Sequence, residues 1–262
     1  MTELNILVSG ALGRMGQMIR TVIADDTECR IGGLLEYPAH PAIGETQQPE
    51  NLILQNDFAK AVAGCDVIID FSLPAGCVYH AELAAKFGIP MVSGTTGLSG
   101  EQQAKLKDAA QDVPLFWAAN MSLGVALVRA LVRQAAQNLS SEQFDIEILE
   151  HHHRNKVDAP SGTAIALGQA AALGRGIDHE DHAVYHRPRI GEVREQGSIG
   201  YGAVRGGGIV GDHEVLFISE HEQISIGHHA MQRDLFAAGA VRAAKWLATQ
   251  PAGLYGMDDI FA

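Results

Sequence analysis

A chain of 262 residues with 47% hydrophobic side chains is long enough for one large or two modest cores, and it reads as globular rather than disordered. Its 31 acidic against 19 basic residues leave a formal charge of -12, a field that disfavours nucleic acid and anionic lipid as partners. No apolar run reaches the roughly 18 residues of a membrane span, and the start MTELNILVSG has no basic region or long apolar core, so no membrane association and a cytoplasmic setting are expected.

In chain order, LNILVSG predicts a strand, GRMGQMIRTVIADD a helix, CRIGGLLE a strand, DVIIDFS a strand and PAGCVYHAELAAKFG a helix. IPMVSG, SGEQQAKLKDAAQD and VPLFWAAN continue as strand, helix and strand. The alternation predicts βαβ units, hence a parallel sheet with helices on both faces. Residues 37–56, with three prolines and many polar side chains, predict a surface loop and a short strand near LIL. SLGVALVRALVRQAAQN has helical spacing, and QFDIEILEHHH after it reads as a strand that opens a second unit. Residues 174–208 show little periodicity and predict irregular chain. DHEVLFISE and EQISIGHHA read as two strands around a turn at Glu220 to Glu222, so the second sheet is antiparallel or mixed. MQRDLFAAGAVRAAKWLATQ is a closing helix stopped by Pro251. Cys29, Cys65 and Cys77 form no CxxC pair and read as buried, reduced thiols without a function.

Two stretches carry chemistry. In SGALGRMG, Gly10, Gly13 and Gly16 stand between a strand and a helix, where backbone N–H groups and the helix dipole meet a pyrophosphate. The first spacing is one residue wider than in G-x-G-x-x-G, and glycines kept for packing alone are the competing reading. Glu36, 20 residues after Gly16 at the end of the next strand, is placed to bind ribose hydroxyls. Arg14, at the helix start, reads either as a phosphate neighbour or as a solvated arginine. Gly94 to Thr96 and Ala118 to Asn120 follow strands, at the ends where ligands bind in open α/β sheets, although plain turns read the same way.

The second stretch is EHHHRNKVDAPSGTA. Ser161 after Pro160 predicts a helix start whose free N–H groups, from Gly162 and Thr163, suit a carboxylate; a simply capped helix is the alternative. Lys156 five positions earlier can hold an anion and give up a proton. Neighbouring histidines on a strand point to opposite faces, so His151, His152 and His153 do not form a compact metal site, and no metal is expected. The remaining histidines, such as His179, His182, His186, His228 and His229, receive no role.

SGALGRMG, Glu36, SGTTG, AANMSLGV, EHHHRNKVDAPSGTA and GGGIVGDHEVLF together resemble the dihydrodipicolinate reductase family over essentially the whole chain. The resemblance implies an α/β fold: a Rossmann-type parallel-sheet dinucleotide domain at 1–122, completed by 232–262, and an α+β domain with a mixed sheet at 123–231 that builds a homotetramer. It implies NADH and/or NADPH as cofactor, lined by Gly10, Ala11, Leu12, Gly13, Arg14, Met15, Glu36, Gly94, Thr95, Thr96, Ala118, Ala119, Asn120 and Met121. By the same resemblance His152 and Lys156 are catalytic, with Lys156 the proton donor. The resemblance also implies that His153, with Gly162 and Thr163, binds the carboxylates of a dicarboxylate substrate; the Lys156 ammonium and the Ser161 hydroxyl, read from the residues themselves, are expected to bind it too. Many members have arginine after the cofactor-binding acid; Tyr37 in its place predicts weaker preference for NADPH and good use of NADH. Met121 replaces a common aromatic. The competing expectations are a nicotinamide oxidoreductase with another substrate, and a redox or zinc sensor that uses the histidine cluster.

Overall fold

The computed structural model describes residues 3–187 and 193–261. The chain divides into two compact units, Met1–Met121 with Asp234–Ala262, and Ser122–Arg233. The divisions fall one residue before the expected 122/123 boundary and two after the expected 231/232 boundary.

The first unit runs β1 (Leu4–Ser9), α1 (Arg14–Ala24), β2 (Cys29–Leu35), β3 (Thr46–Gln47), β4 (Leu52–Gln55), α2 (Phe58–Ala61), β5 (Val67–Asp70), α3 (Pro74–Phe87), β6 (Met91–Ser93), α4 (Gly100–Ala109) and β7 (Pro114–Trp117). The second contains α5 (Leu123–Asn138), β8 (Asp145–His152), α6 (Gly162–Arg175), α7 (His179–His182), β9 (Ala183–Val184), β10 (Ile199–Arg205), β11 (Gly211–Ile218) and β12 (Gln223–Ala230). Finally α8 (Asp234–Leu247) and β13 (Gly253–Tyr255) belong to the first unit.

The first sheet has the order β13-β7-β6-β5-β1-β2-β4-β3, and every pair is parallel except β3 with β4. Its central strands are apolar on both faces, as in Val67, Ile68 and Ile69 of β5, all buried, because helices cover both sides. Local chemistry sets the helix ends. Pro74 opens α3 and left-handed Gly88 closes it, and Ser99 with Gln102 forms a capping box on α4. The chain leaves β1 towards β2 on one side and returns at β5 on the other. This reversal opens a crevice at the carboxyl ends of β1 and β5. The closing helix α8 buries Ala237, Ala240, Val241, Ala244 and Leu247 against α1 and strands β5 to β7. Lys245 Nζ fastens it to Asp26 at 2.6 Å and Glu28 at 2.8 Å.

The second sheet has the order β12-β11-β8-β10-β9. β10 is parallel to β8 and β9, whereas β11 is antiparallel to β8 and β12, so the sheet is mixed. Strict alternation along β8 turns Ile146, Ile148, Glu150 and His152 inward, towards the layer of α5 and α6, and leaves Asp145, Glu147, Leu149 and His151 on the other face.

Residues 174–208 are more regular than expected. They hold the end of α6, then α7, β9 and β10; the part at 188–192 lies outside the described residues. Polar, glycine-rich composition hid these pieces because α7, β9 and half of β10 are ordered by neighbouring strands and helices rather than by their own periodicity. Three other short elements, α2, β3 and β13, went unpredicted for the same reason.

Candidate active site

The loop after β1 is built for close approach. Gly10 has a φ of 70°, and a Cβ on Gly16 would lie 2.1 Å from the Gly10 carbonyl oxygen, so only glycine lets α1 begin so near the strand end. Gly13 caps α1 with no side-chain hydrogen bond, which leaves the first-turn N–H groups for an anion. Glu36 Oε2 accepts the Leu12 N–H at 3.1 Å, joining the acid at the end of β2 to the loop. Arg14 is exposed at the first turn, and Met15 is half-buried. A cleft of about 550 Å³ opens here, lined among others by Gly10, Gly13, Glu36, Tyr37, Phe71 and His80. Its glycine cradle, uncapped helix and acid fit a dinucleotide.

The other expected cofactor segments sit at neighbouring strand ends, but their side chains differ in direction. Gly94 lies against Phe71, where a Cβ would come within 2.2 Å of the ring. Thr95 is buried and turned inward, its hydroxyl donating to the Ser72 carbonyl at 3.0 Å and facing Asp70 Oδ1 at 3.3 Å; Thr96 is exposed. Ala118 N–H donates to the Ser93 carbonyl at 3.2 Å. Ala119 is exposed and Asn120 half-buried, whereas Met121 is buried. Sequence reading missed Asp70, which is fully buried and bonded by His80 Nδ1 at 2.7 Å and Ser72 Oγ at 2.8 Å. Burial alone would raise its pKa, yet the bonds from His80, Ser9 and Ser72 hold it below the usual value.

In the second unit the histidine run separates as alternation requires. His152 is buried on the helix side of the sheet, His151 lies on the opposite face, and His153 is half-buried after the strand ends. Lys156 N–H bonds the His153 carbonyl at 3.1 Å, and Lys156 Nζ contacts Asp158 Oδ1 at 2.8 Å. Ser161 caps α6, its hydroxyl accepting the Ala164 N–H at 3.2 Å and meeting His213 Nε2 at 3.0 Å. That hydroxyl therefore already has two partners, one on α6 and one on β11, at the place where a substrate ligand was expected. Gly162 is exposed and Thr163 half-buried at the first turn.

Glu150 is the hub of this cluster, and sequence reading missed it. One carboxylate oxygen, Oε1, accepts Ser161 N–H at 3.1 Å and Arg205 Nη2 at 2.6 Å. The other, Oε2, accepts Arg205 Nη1 at 2.8 Å and bonds His152 Nδ1. Burial pushes the Glu150 pKa up, but Arg205 and His152 together bring it below the usual carboxylate value. Burial also lowers the His152 pKa, and the charges of Lys156 and Arg205 lower it further, against the opposing pull of Glu150. His213, its ring 5.0 Å from that of His152, is lowered by burial to about 4. Glu150, His152 and His213 are close enough to gather round an ion, with ligand atoms within 4.8 Å of one another. Arg205 already brings a positive charge to that carboxylate, so a metal there would have to displace a guanidinium.

Two domain patterns account for nearly the whole chain: dihydrodipicolinate reductase, N-terminus, matches residues 4–121, and dihydrodipicolinate reductase, C-terminus, matches 124–261. The chain belongs to the dihydrodipicolinate reductase family. A 4-hydroxy-tetrahydrodipicolinate reductase of Nitrosomonas europaea is 42% identical, covering 99% of this chain and 98% of its own. The corresponding enzyme of Parvibaculum lavamentivorans is 44% identical, with coverage of 98% and 97%. Among solved structures, the dipicolinate-bound dihydrodipicolinate reductase from Paenisporosarcina sp. TG-14 shares the fold with a TM-score of 0.81 at 23% identity, covering 99% of this chain and 100% of that one. A probable dehydrogenase from Thermotoga maritima shares it more loosely, with a TM-score of 0.60 at 12% identity and coverage of 96% and 91%. As a member of this family the chain is an oxidoreductase that reduces 4-hydroxy-tetrahydrodipicolinate to tetrahydrodipicolinate, with loss of water, in lysine and diaminopimelate biosynthesis, using a pyridine nucleotide. The sensor reading and the reading with an unrelated substrate fall away.

Proposed function

We propose that Lys156 and His152 move the proton in this reduction and that His153, with the first turn of α6 at Gly162 and Thr163, holds the substrate carboxylates. The observation that carries this reading is the Glu150 hub, which ties the His152 imidazole to the N-terminus of α6 through Ser161. When bound, the reduced nicotinamide supplies hydride for C4 of the cyclic imine diacid formed by loss of the hydroxyl as water. The adjacent carbon then takes a proton, which the Lys156 ammonium gives up as general acid. His152 is neutral near pH 7 because burial lowers its pKa, so it accepts or carries a proton rather than holding a fixed charge. The carboxylates lie at the start of α6, where the positive end of the helix dipole favours an anion.

Gly10 to Met15 and Glu36 hold the cofactor, with the segments at Gly94 to Thr96 and Ala118 to Met121 nearby. With Tyr37 after the acid, no arginine stands there for a 2'-phosphate, which supports ready use of NADH beside NADPH. We further assign a homotetramer built on the open face of the second sheet, and a cytoplasmic setting, where Cys29, Cys65 and Cys77 stay reduced. The test is steady-state oxidation of NADH with the condensation product of pyruvate and aspartate semialdehyde. Lys156→Ala and His152→Ala should each lower kcat by about 100-fold or more, with the NADH dissociation constant unchanged. Turnover at the wild-type rate in either variant refutes its role.

A further inference from the structure

Glu150 is 1% exposed, lies in the centre of the mixed sheet, and contacts three elements at once: His152 on its own strand, Arg205 on β10 and the start of α6. It touches neither of the groups assigned to substrate at Gly162 and Thr163, and it is too enclosed to meet solvent. We propose that Glu150 is a positioning residue for the reduction: it fixes His152 in the tautomer that carries its proton on Nδ1, leaving Nε2 as the proton-accepting atom. This rests on the role assigned to His152 above.

The geometry leaves no other tautomer. An ionised carboxylate only accepts, so the atom facing Glu150 Oε2, His152 Nδ1, must donate. Arg205 binds both oxygens and keeps the group ionised and fixed in plane. The opposite edge of the imidazole faces β11, where a Cβ on Gly211 would lie 3.0 Å from Nε2; glycine leaves that nitrogen its space. The same carboxylate holds the Ser161 N–H, so the imidazole and the first turn of α6 move as one piece. A catalytic imidazole oriented by a buried carboxylate is a general device for fixing tautomer and direction together.

Glu150→Gln gives a sharp outcome. The Oε1 position faces two donors, Ser161 N–H and Arg205 Nη2, and so must be taken by the amide oxygen. The amide NH2 then faces both His152 Nδ1 and the Arg205 Nη1 donor; it donates to Nδ1, which drives the imidazole proton to Nε2, and the bond from Arg205 Nη1 is lost. We expect kcat to fall by about 100-fold or more, with KM for substrate and for NADH changed by less than about 3-fold. Glu150→Asp, which keeps an acceptor-only group, should recover part of kcat. In the full-length protein labelled with 15N-histidine, and with the signal assigned through His152→Asn, the His152 imidazole should show Nδ1–H in the wild type and in Glu150→Asp, and Nε2–H in Glu150→Gln.

An unchanged tautomer in Glu150→Gln, or a kcat within about 3-fold of wild type in that folded variant, overturns the proposal. If Glu150→Gln does not fold, Glu150→Asp decides: Nε2–H in that variant overturns the proposal, and Nδ1–H with partial activity supports it. Full turnover by His152→Ala would instead remove the catalytic role of His152, and the 15N spectra would still decide whether Glu150 sets its tautomer.

Discussion

At the scale of single residues, the site is a set of buried polar groups whose partners decide their protonation. His213 is the clearest case for pH. Its pKa is lowered from 6.5 to about 4, by burial first and then by the charge of His152, against the opposite pull of Glu150 and Asp212, with His228 adding to the lowering. The unfolded chain therefore takes up a proton on this residue at a higher pH than the folded one. Its contribution is complete above pH 6.5 and is lost as pH falls towards 4, by up to about 3 kcal/mol. His213→Gln, which keeps a side chain facing Ser161, should flatten the decline. Urea denaturation at pH 7 and pH 4.5 measures the difference, and parallel curves for the two proteins would show that His213 does not titrate in this way. No motif marks His213 or Glu150, since a histidine in GDHEVLF or a glutamate in EILEHHH reads as ordinary strand alternation until the register of β8, β10 and β11 is known.

At the scale of elements, strand ends and helix starts do most of the work. Asp70 ends β5 at full burial and gathers His80, Ser72 and Thr95 beneath the cleft, so it joins the carboxyl-terminal ends of β5 and β6 to α3. Asp70→Asn keeps the shape but loses the charge and one acceptor, leaving a donor among donors. We expect a loss of about 3 kcal/mol in folding stability, read by urea denaturation at pH 7; a change below about 0.5 kcal/mol would mean that the network is dispensable. The glycine loop, the helix start after Pro160 and the extents of α3 and α4 were legible in advance, because glycines, prolines and helical spacing act over a few residues. The short α7, β9 and β13 were not, because two to four residues carry no period of their own.

At the scale of the whole molecule, two expectations concern the cofactor and assembly. With Tyr37 following Glu36, kcat/KM for NADH should lie within about 10-fold of that for NADPH. Steady-state kinetics with both nucleotides decide this, and a larger advantage for NADPH would mean that another cation, such as Arg14, meets the 2'-phosphate. For assembly, α5 and α6 cover one face of the mixed sheet, while the other carries half-buried Leu149, Leu216 and Ile218 beside exposed Val204. If four copies associate through this face, Leu216→Glu should shift the sedimenting species from tetramer to a smaller form, because a charge buried between subunits has no partner. A wild-type monomer, or a variant that remains tetrameric, would rule that interface out.

The succession of strands and helices, the glycine loop with Glu36 after it, the helix start after Pro160 and membership of the reductase family could all be read from the chain alone. Each of these depends on local backbone preference or on a contiguous string of residues. Which side chains meet depends on the folded chain. It brought Glu150, Arg205, Ser161 and His213 round His152, turned the Ser161 hydroxyl inward, and put Asp70 under the crevice. The hydrogen-bond partners of these groups lie up to 55 residues away along the chain, and strand register with burial, neither of which a local pattern encodes, selects among them.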